Sequence, residues 1–115
     1  MNQLRVQYCQ GVSIEPNEPL HERVPTHDEN GKPVSDFMML IPGLKKASNL
    51  RMNRVVGGLH VVLEQYKEVI FADLNVSRSI LWVSVRAVPG IIPEIAAAIQ
   101  VRIPEALIVG SARMA

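Results

Sequence analysis

The sequence has little of what marks an exported, membrane-spanning or nucleic-acid-binding protein. Its single cysteine, Cys9, leaves no partner for an intrachain disulfide and favours a reducing compartment, so we expect a cytoplasmic protein. No apolar run approaches the roughly 20 residues of a membrane-spanning helix, and no basic segment followed by an apolar stretch opens the chain. We therefore expect no membrane partner.

Charge of one sign and aromatic residues are also scarce. Twelve Lys and Arg are balanced by eleven Asp and Glu, which gives no general attraction to nucleic acid. Two Phe, two Tyr and one Trp are too few for the stacked aromatic surface of an RNA-binding sheet. The sequence therefore predicts no nucleic-acid partner.

What is present is a hydrophobic segment preceded by a polar one. Hydrophobic residues make up 48% of the 115 residues, enough for one core in a domain of common size. The composition changes near Val34, from Pro, Asn, His and Glu to Val, Ile, Leu, Met and Ala. We predict an N-terminal extension and connector over residues 1–33 and a folded α/β domain over residues 34–115.

Two helices and four strands are predicted after Val34. One apolar stripe has the spacing three, one, three, three, one, three, which falls on one face only in a helix. It consists of Met52, Val55, Val56, Leu59, Val62, Leu63 and Tyr66. A second helix is predicted from Pro93 to Pro104. Four apolar runs predict strands, the middle two forming a hairpin. They cover residues 34–43, 69–76, 79–88 and 105–114.

This order of elements predicts an α+β sandwich of the ferredoxin-like, split βαβ kind. In that arrangement a four-stranded antiparallel sheet carries two helices on one face. The two halves match each other, since "LIPGL" at 40–44 corresponds to "AVPGI" at 87–91. A weak alternation of Leu4, Val6 and Tyr8 leaves open whether the extension adds an edge strand.

The hairpin fixes which residues share a sheet face. With its turn at Ser77 and Arg78, paired residue numbers sum to 155, so Asp73 lies opposite Trp82 and Phe71 opposite Ser84. The face away from the helices then exposes large apolar groups, which monomers usually avoid. We predict that it contacts a second subunit in a homodimer, a small polar ligand, or both. The predicted surface is Phe71, Asp73, Trp82, Ser84 and Arg86.

The outer faces of the helices form a second predicted contact surface. Two glycines inside a helix cost about 1 kcal/mol each relative to alanine, so the pair needs a reason such as the close approach of another backbone. The N-terminal segment and a second subunit are the candidates, and a simple bend of the helix is the alternative. The residues concerned are Gly57, Gly58, Val61, Ala97 and Val101.

Charges at the first helix oppose its dipole. Basic residues surround its start, and Glu64 and Glu68 lie near its end. Each misplaced charge costs about 0.3–1 kcal/mol at an exposed site, so the helix either tolerates the cost as a solvated face or holds an anion at its N-terminus. The basic residues are Lys45, Lys46, Arg51 and Arg54.

Metal binding and catalysis have weak candidates. His21 and His27 are separated by Pro25, so they cannot share a regular helix; with Asp28 they form a weak metal site at most, and a solvated connector is the preferred interpretation. His60, on the edge of the first helix stripe, is expected to be partly buried and hydrogen-bonded. An enzyme at a subunit interface would have to use His60, Tyr66, Asp73 and Arg86.

The sequence therefore favours a ligand-binding, regulatory or assembly module that acts through the open sheet face. We predict no cofactor, a homo-oligomer and a small polar ligand. The alternatives are a small ferredoxin-like enzyme and a weak metal-binding protein.

Overall fold

The described part of the chain contains two helices and five strands. The computed structural model describes residues 5–9 and 34–110. Its elements are β1 (Arg5–Cys9), β2 (Val34–Leu40), α1 (Asn49–Gln65), β3 (Val69–Asn75), β4 (Ile80–Arg86), α2 (Ile91–Arg102) and β5 (Leu107–Gly110). A short 3-10 turn covers Leu44–Lys46. The N-terminal edge strand, which the sequence alone leaves undecided, is thus present as β1.

All five strands belong to one antiparallel sheet in the order β1-β3-β4-β2-β5. Asp73 lies opposite Trp82 and Phe71 opposite Ser84, which confirms the predicted hairpin register. The register shifts by one residue between Val69 and Phe71, where the ladder becomes irregular. The α+β class, with two helices and an antiparallel sheet, is confirmed.

Each helix follows a Pro-Gly turn, and the matched sequences take the same backbone form. Gly43 and Gly90 both have left-handed φ values, 78° and 79°, which a residue with a side chain rarely adopts. Ser48 caps α1 by accepting a hydrogen bond from the Arg51 amide at 3.1 Å. Helix α2 starts at Ile91, two residues before Pro93, because Gly90 already turns the chain into the helix.

One hydrophobic core lies between the helices and the sheet. Alternate strand residues such as Phe37, Met39 and Leu81 join the buried stripe of α1 and Ile95 and Ile99 of α2. Period-two alternation therefore sends the intervening strand residues to the opposite face of the sheet. We call that opposite side the far face.

The two helices lie beside each other and run in opposite directions. Gly58, in the second half of α1, lies beside the end of α2: a Cβ at this position would be 3.5 Å from the Arg102 Cβ atom and 3.9 Å from Ile103 Cδ1. The close neighbour of Gly58 is therefore the second helix of the same chain. Gly57 is exposed, and a Cβ there would meet nothing within 4 Å. Val61, Ala97 and Val101 remain on the solvent side of the layer.

Candidate functional site

The far face of the three central strands carries a cluster of polar and aromatic side chains. In register, Asp36 of β2 and Phe71 of β3 both lie opposite Ser84, while Asp73 lies opposite Trp82. We call Asp36, Phe71, Asp73, Trp82 and Ser84 the far-face cluster. Because β4 runs between the other two strands, one carboxylate stands on each side of it.

Most of the far-face cluster is buried within one chain. Asp36 and Asp73 are only 1% and 2% exposed, and Phe71 and Ser84 are fully buried. Trp82 and Arg86 are partly exposed. Phe71, predicted to be exposed unless a second subunit or ligand covers it, is buried within the single chain, because alternation shows which residues share a face but not what covers that face. Exposed apolar area therefore gives no reason for a second subunit here.

Hydrogen bonds order the cluster locally. The Trp82 indole Nε1 donates to Ser84 Oγ at 3.3 Å, which links two adjacent far-face residues of β4. Asp36 and Asp73 each have an interaction partner. At one end of the face, Arg86 Nη1 donates to the Lys67 carbonyl at 3.3 Å and is held at the rim.

The two carboxylates act separately. Strands lie about 4.8 Å apart and rise about 3.4 Å per residue, so the Cα atoms of Asp36 and Asp73 are about 12 Å apart. That distance is too long for the two carboxylates to share one proton. Two acidic groups beside an indole are complementary to a ligand that has a cationic and an apolar part.

Sequence reasoning missed Asp36. The mostly apolar run "VSDFMML" predicts a strand, and Asp36 is its only charged residue. A charged side chain within an apolar strand is costly to bury, and such exceptions to the apolar pattern indicate a polar site.

The four residues nominated for an enzyme are not brought together. Asp73 and Arg86 lie on the far face, whereas His60 and Tyr66 belong to α1 and its end, on the other side of the sheet. His60 is 60% exposed rather than partly buried, and its Nε2 lies 2.7 Å from Glu64 Oε1. Burial raises the pKa of the Tyr66 hydroxyl above its ordinary value of 10.0. Glu94, which accepts a hydrogen bond from that hydroxyl, raises this pKa further.

A protein carboxylate occupies the basic start of α1. Arg51 Nη2 lies 2.9 Å from Glu105 Oε2 and also donates to the Pro42 carbonyl at 2.8 Å, and Arg54 Nη2 lies 3.5 Å from the same Glu105 oxygen. The hydrogen bond from Arg51, followed by one from a backbone N–H, lowers the pKa of Glu105 below 4.5. Glu105 thus supplies an anion at this end of the helix, while Lys45 and Lys46 stay exposed.

A separate groove of about 300 Å³ opens at the start of α2. Its walls are mainly apolar, with the Ser35 hydroxyl as the side-chain polar group. The lining consists of Ser35, Ala87, Val88, Pro89, Gly90, Ile91, Ile92 and Pro93. It has no charged side chain with which to orient a polar ligand.

Metal binding is not carried by the described residues. Among residues 5–9 and 34–110, no three His, Cys, Asp or Glu side chains come close enough to hold an ion. His21, His27 and Asp28, the predicted weak metal candidates, lie outside those ranges.

Fold and site together define the chain as a small α+β sandwich with a polar cluster on the sheet. Comparison with models of known protein families finds no match, and comparisons with curated proteins and with solved structures find no similar protein. Neither helix in the described ranges has the length and apolarity needed to cross a bilayer.

Proposed function

We propose that the protein is a ligand-binding module whose binding surface is the far-face cluster. The observation that carries this proposal is the burial of Asp36 and Asp73 on either side of Trp82 and Ser84. Charged groups are rarely buried unless they are paired, because leaving water is costly. Two such groups on one face of a small domain favour a binding role, since breaks in local hydrophobic patterning concentrate at functional sites.

The sign of the charges suggests the ligand class. Asp36 and Asp73 are acidic, while Arg86 at the rim is held by the Lys67 carbonyl. A small ligand with an amine or guanidinium group and an apolar part would be attracted by the charge of the two buried carboxylates and would contact the indole. Partly exposed Trp82 is the accessible member of the cluster and gives such a ligand its point of contact.

Trp82 provides the test because it is the only tryptophan in the chain. Its emission is measured while primary amines, amino acids and small carboxylates of matched size are titrated into the intact protein. We expect saturable shifts with cationic ligands and none with the carboxylates. Asp73→Asn keeps the shape of the side chain and removes its charge, so it should weaken binding about tenfold or more.

Glu94→Gln is the matched control, because it removes one carboxylate from an exposed site on the helix side of the sheet. It should bind as the unaltered protein does. If Asp73→Asn fails to fold, Asp36→Asn takes its place. Equal binding by the Asp variants, or no response to any cationic ligand, would reject the proposal.

The finer fold assignment belongs to the same proposal. Counting only the four strands from β2 onward, the sheet order is β3-β4-β2-β5. In the split βαβ arrangement, the two strands of each βαβ half lie on either side of one strand from the other half. Here β2 and β3 lie on either side of β4, and β4 and β5 lie on either side of β2, so we propose that this chain has the ferredoxin-like topology. We also propose a cytoplasmic location, on the basis of the single cysteine.

A further inference from the structure

The solvent side of α1 carries a regular stripe that the binding proposal does not use. Its residues recur at spacings of four, three, four and three, and they lie opposite the buried stripe of Val55, Leu59 and Val62. We call this set the outer stripe: Leu50, Arg54, Gly57, Val61 and Glu64.

The middle of the outer stripe has the shape of a contact surface. Leu50 is 82% exposed and Val61 37% exposed. Gly57 is the central residue of the helix, and a Cβ there would meet nothing within 4 Å, so it leaves a notch one turn from the Val61 side chain. An exposed apolar side chain beside a notch is complementary to a second copy of itself.

Opposite charges stand at the two ends of the helix layer. The start of α1 has Lys45, Lys46, Arg51 and Arg54, with Glu105 as the acid that contacts the two arginines. The other end has Glu64 and Glu68 of α1 and its continuation. It also has Glu94 of α2, the hydrogen-bond acceptor of Tyr66.

We propose that two copies of this chain pair through their outer stripes, with the α1 helices antiparallel about a two-fold axis. In the register where paired residue numbers sum to 118, Val61 of each copy enters the Gly57 notch of the other, and Arg54 faces Glu64. A parallel pair would bring the two basic ends together. Charge therefore selects the antiparallel orientation.

The existing contacts of the two charged residues leave them available. Arg54 is 56% exposed and reaches Glu105 only at 3.5 Å, at the edge of hydrogen-bond distance. Glu64 is 57% exposed and contacts His60 through one oxygen, Oε1. A carboxylate accepts several hydrogen bonds, so Glu64 can contact His60 and an arginine of the second copy together.

The available area fits a dimer at the lower size limit. Helix α1 has 17 residues and is about 26 Å long, and with the flank of α2 the layer is about 20 Å wide. Each copy then contributes roughly 500 Å², or about 1,000 Å² in total, near the minimum for a specific interface. Val101, 80% exposed on α2, lies on that flank. The dimer is accordingly a concentration-dependent one.

Charge reversal tests the pairing in the full chain. Sedimentation equilibrium is measured from about 1 to 100 µM, a range suited to a small interface. We expect the unaltered protein to dimerise, and Arg54→Glu and Glu64→Arg each to weaken the dimer about tenfold or more because like charges then face each other. The double variant carrying both changes should regain dimerisation, and a mixture of the two single variants should form heterodimers.

Two controls separate assembly from folding. Far-UV circular dichroism should show that the single variants keep the helical content of the unaltered chain, and Arg78→Glu, a reversal in the exposed β3–β4 turn away from the helix layer, should dimerise normally. Gly57→Leu fills the notch and should abolish dimerisation without unfolding the chain, because the site is open. An unaltered chain that stays monomeric over the whole range would overturn the proposal. So would single reversals that dimerise normally, or a double variant that does not recover.

Discussion

Substitution of Gly58 tests how closely the two helices pack. A Cβ at this position would make ordinary contacts with Arg102 and Ile103, so Gly58→Ala should fit and should raise the free energy of unfolding by about 0.5–1 kcal/mol through helix propensity. The additional carbons of Gly58→Leu would collide with the Arg102 stem and the Ile103 side chain. Relative to alanine, leucine should therefore lower stability by about 1–3 kcal/mol.

Gly57 provides the comparison, because it has the same backbone cost and no neighbour. Gly57→Ala should stabilise the chain by about the same 0.5–1 kcal/mol, and Gly57→Leu should not differ much from it. The four variants are unfolded in urea at one low protein concentration, where association contributes little, and followed by far-UV circular dichroism. If leucine is tolerated equally at both positions, the helices do not pack closely at Gly58. A loss of stability in Gly57→Ala would contradict the propensity explanation.

Two further predictions concern contacts between distant or turning parts of the chain. Glu105→Gln should lower stability at neutral pH by about 0.5–1 kcal/mol, since the pair with Arg51 is partly exposed. Because the pKa of Glu105 is depressed in the folded protein, this contribution is present above pH 4.5 and is lost as the pH falls through the lowered value, so urea unfolding curves of the two proteins should converge in acid and diverge towards neutral pH. Asn75→Ala should cost about 1–2 kcal/mol, because the buried Asn75 Oδ1 accepts hydrogen bonds from Ser77 Oγ at 2.9 Å and the Arg78 amide at 3.2 Å. Asn75→Asp keeps the acceptor and should lose less, and equal losses by thermal unfolding would show that these bonds are not the cause.

The elements with strong local patterns were predictable from the sequence. The apolar spacing from Met52 to Tyr66 predicts a helix, because a period near 3.6 residues puts these side chains on one face only in a helix. In the structure this helix is α1, Asn49–Gln65. The short polar turn between two β-branched runs fixes the hairpin register, since each residue then has one opposite partner. The sequence predicts the start of α2 at Pro93, two residues too late, because the left-handed Gly90 rather than Pro93 sets the start.

Only the tertiary structure decided which side chains are buried and which charges meet. Asp73 was assigned to the correct face, but its burial depends on coverage from elsewhere in the fold, which no local period encodes. The contact between Arg51 and Glu105 joins residues 54 positions apart and exists because the loop after α2 returns to the start of α1. His60 was expected at a boundary and is exposed, and Gly58 was expected to face a separate partner and faces α2. Sequence period determines the direction of a side chain within its own element, whereas its neighbours depend on how the elements are placed relative to one another.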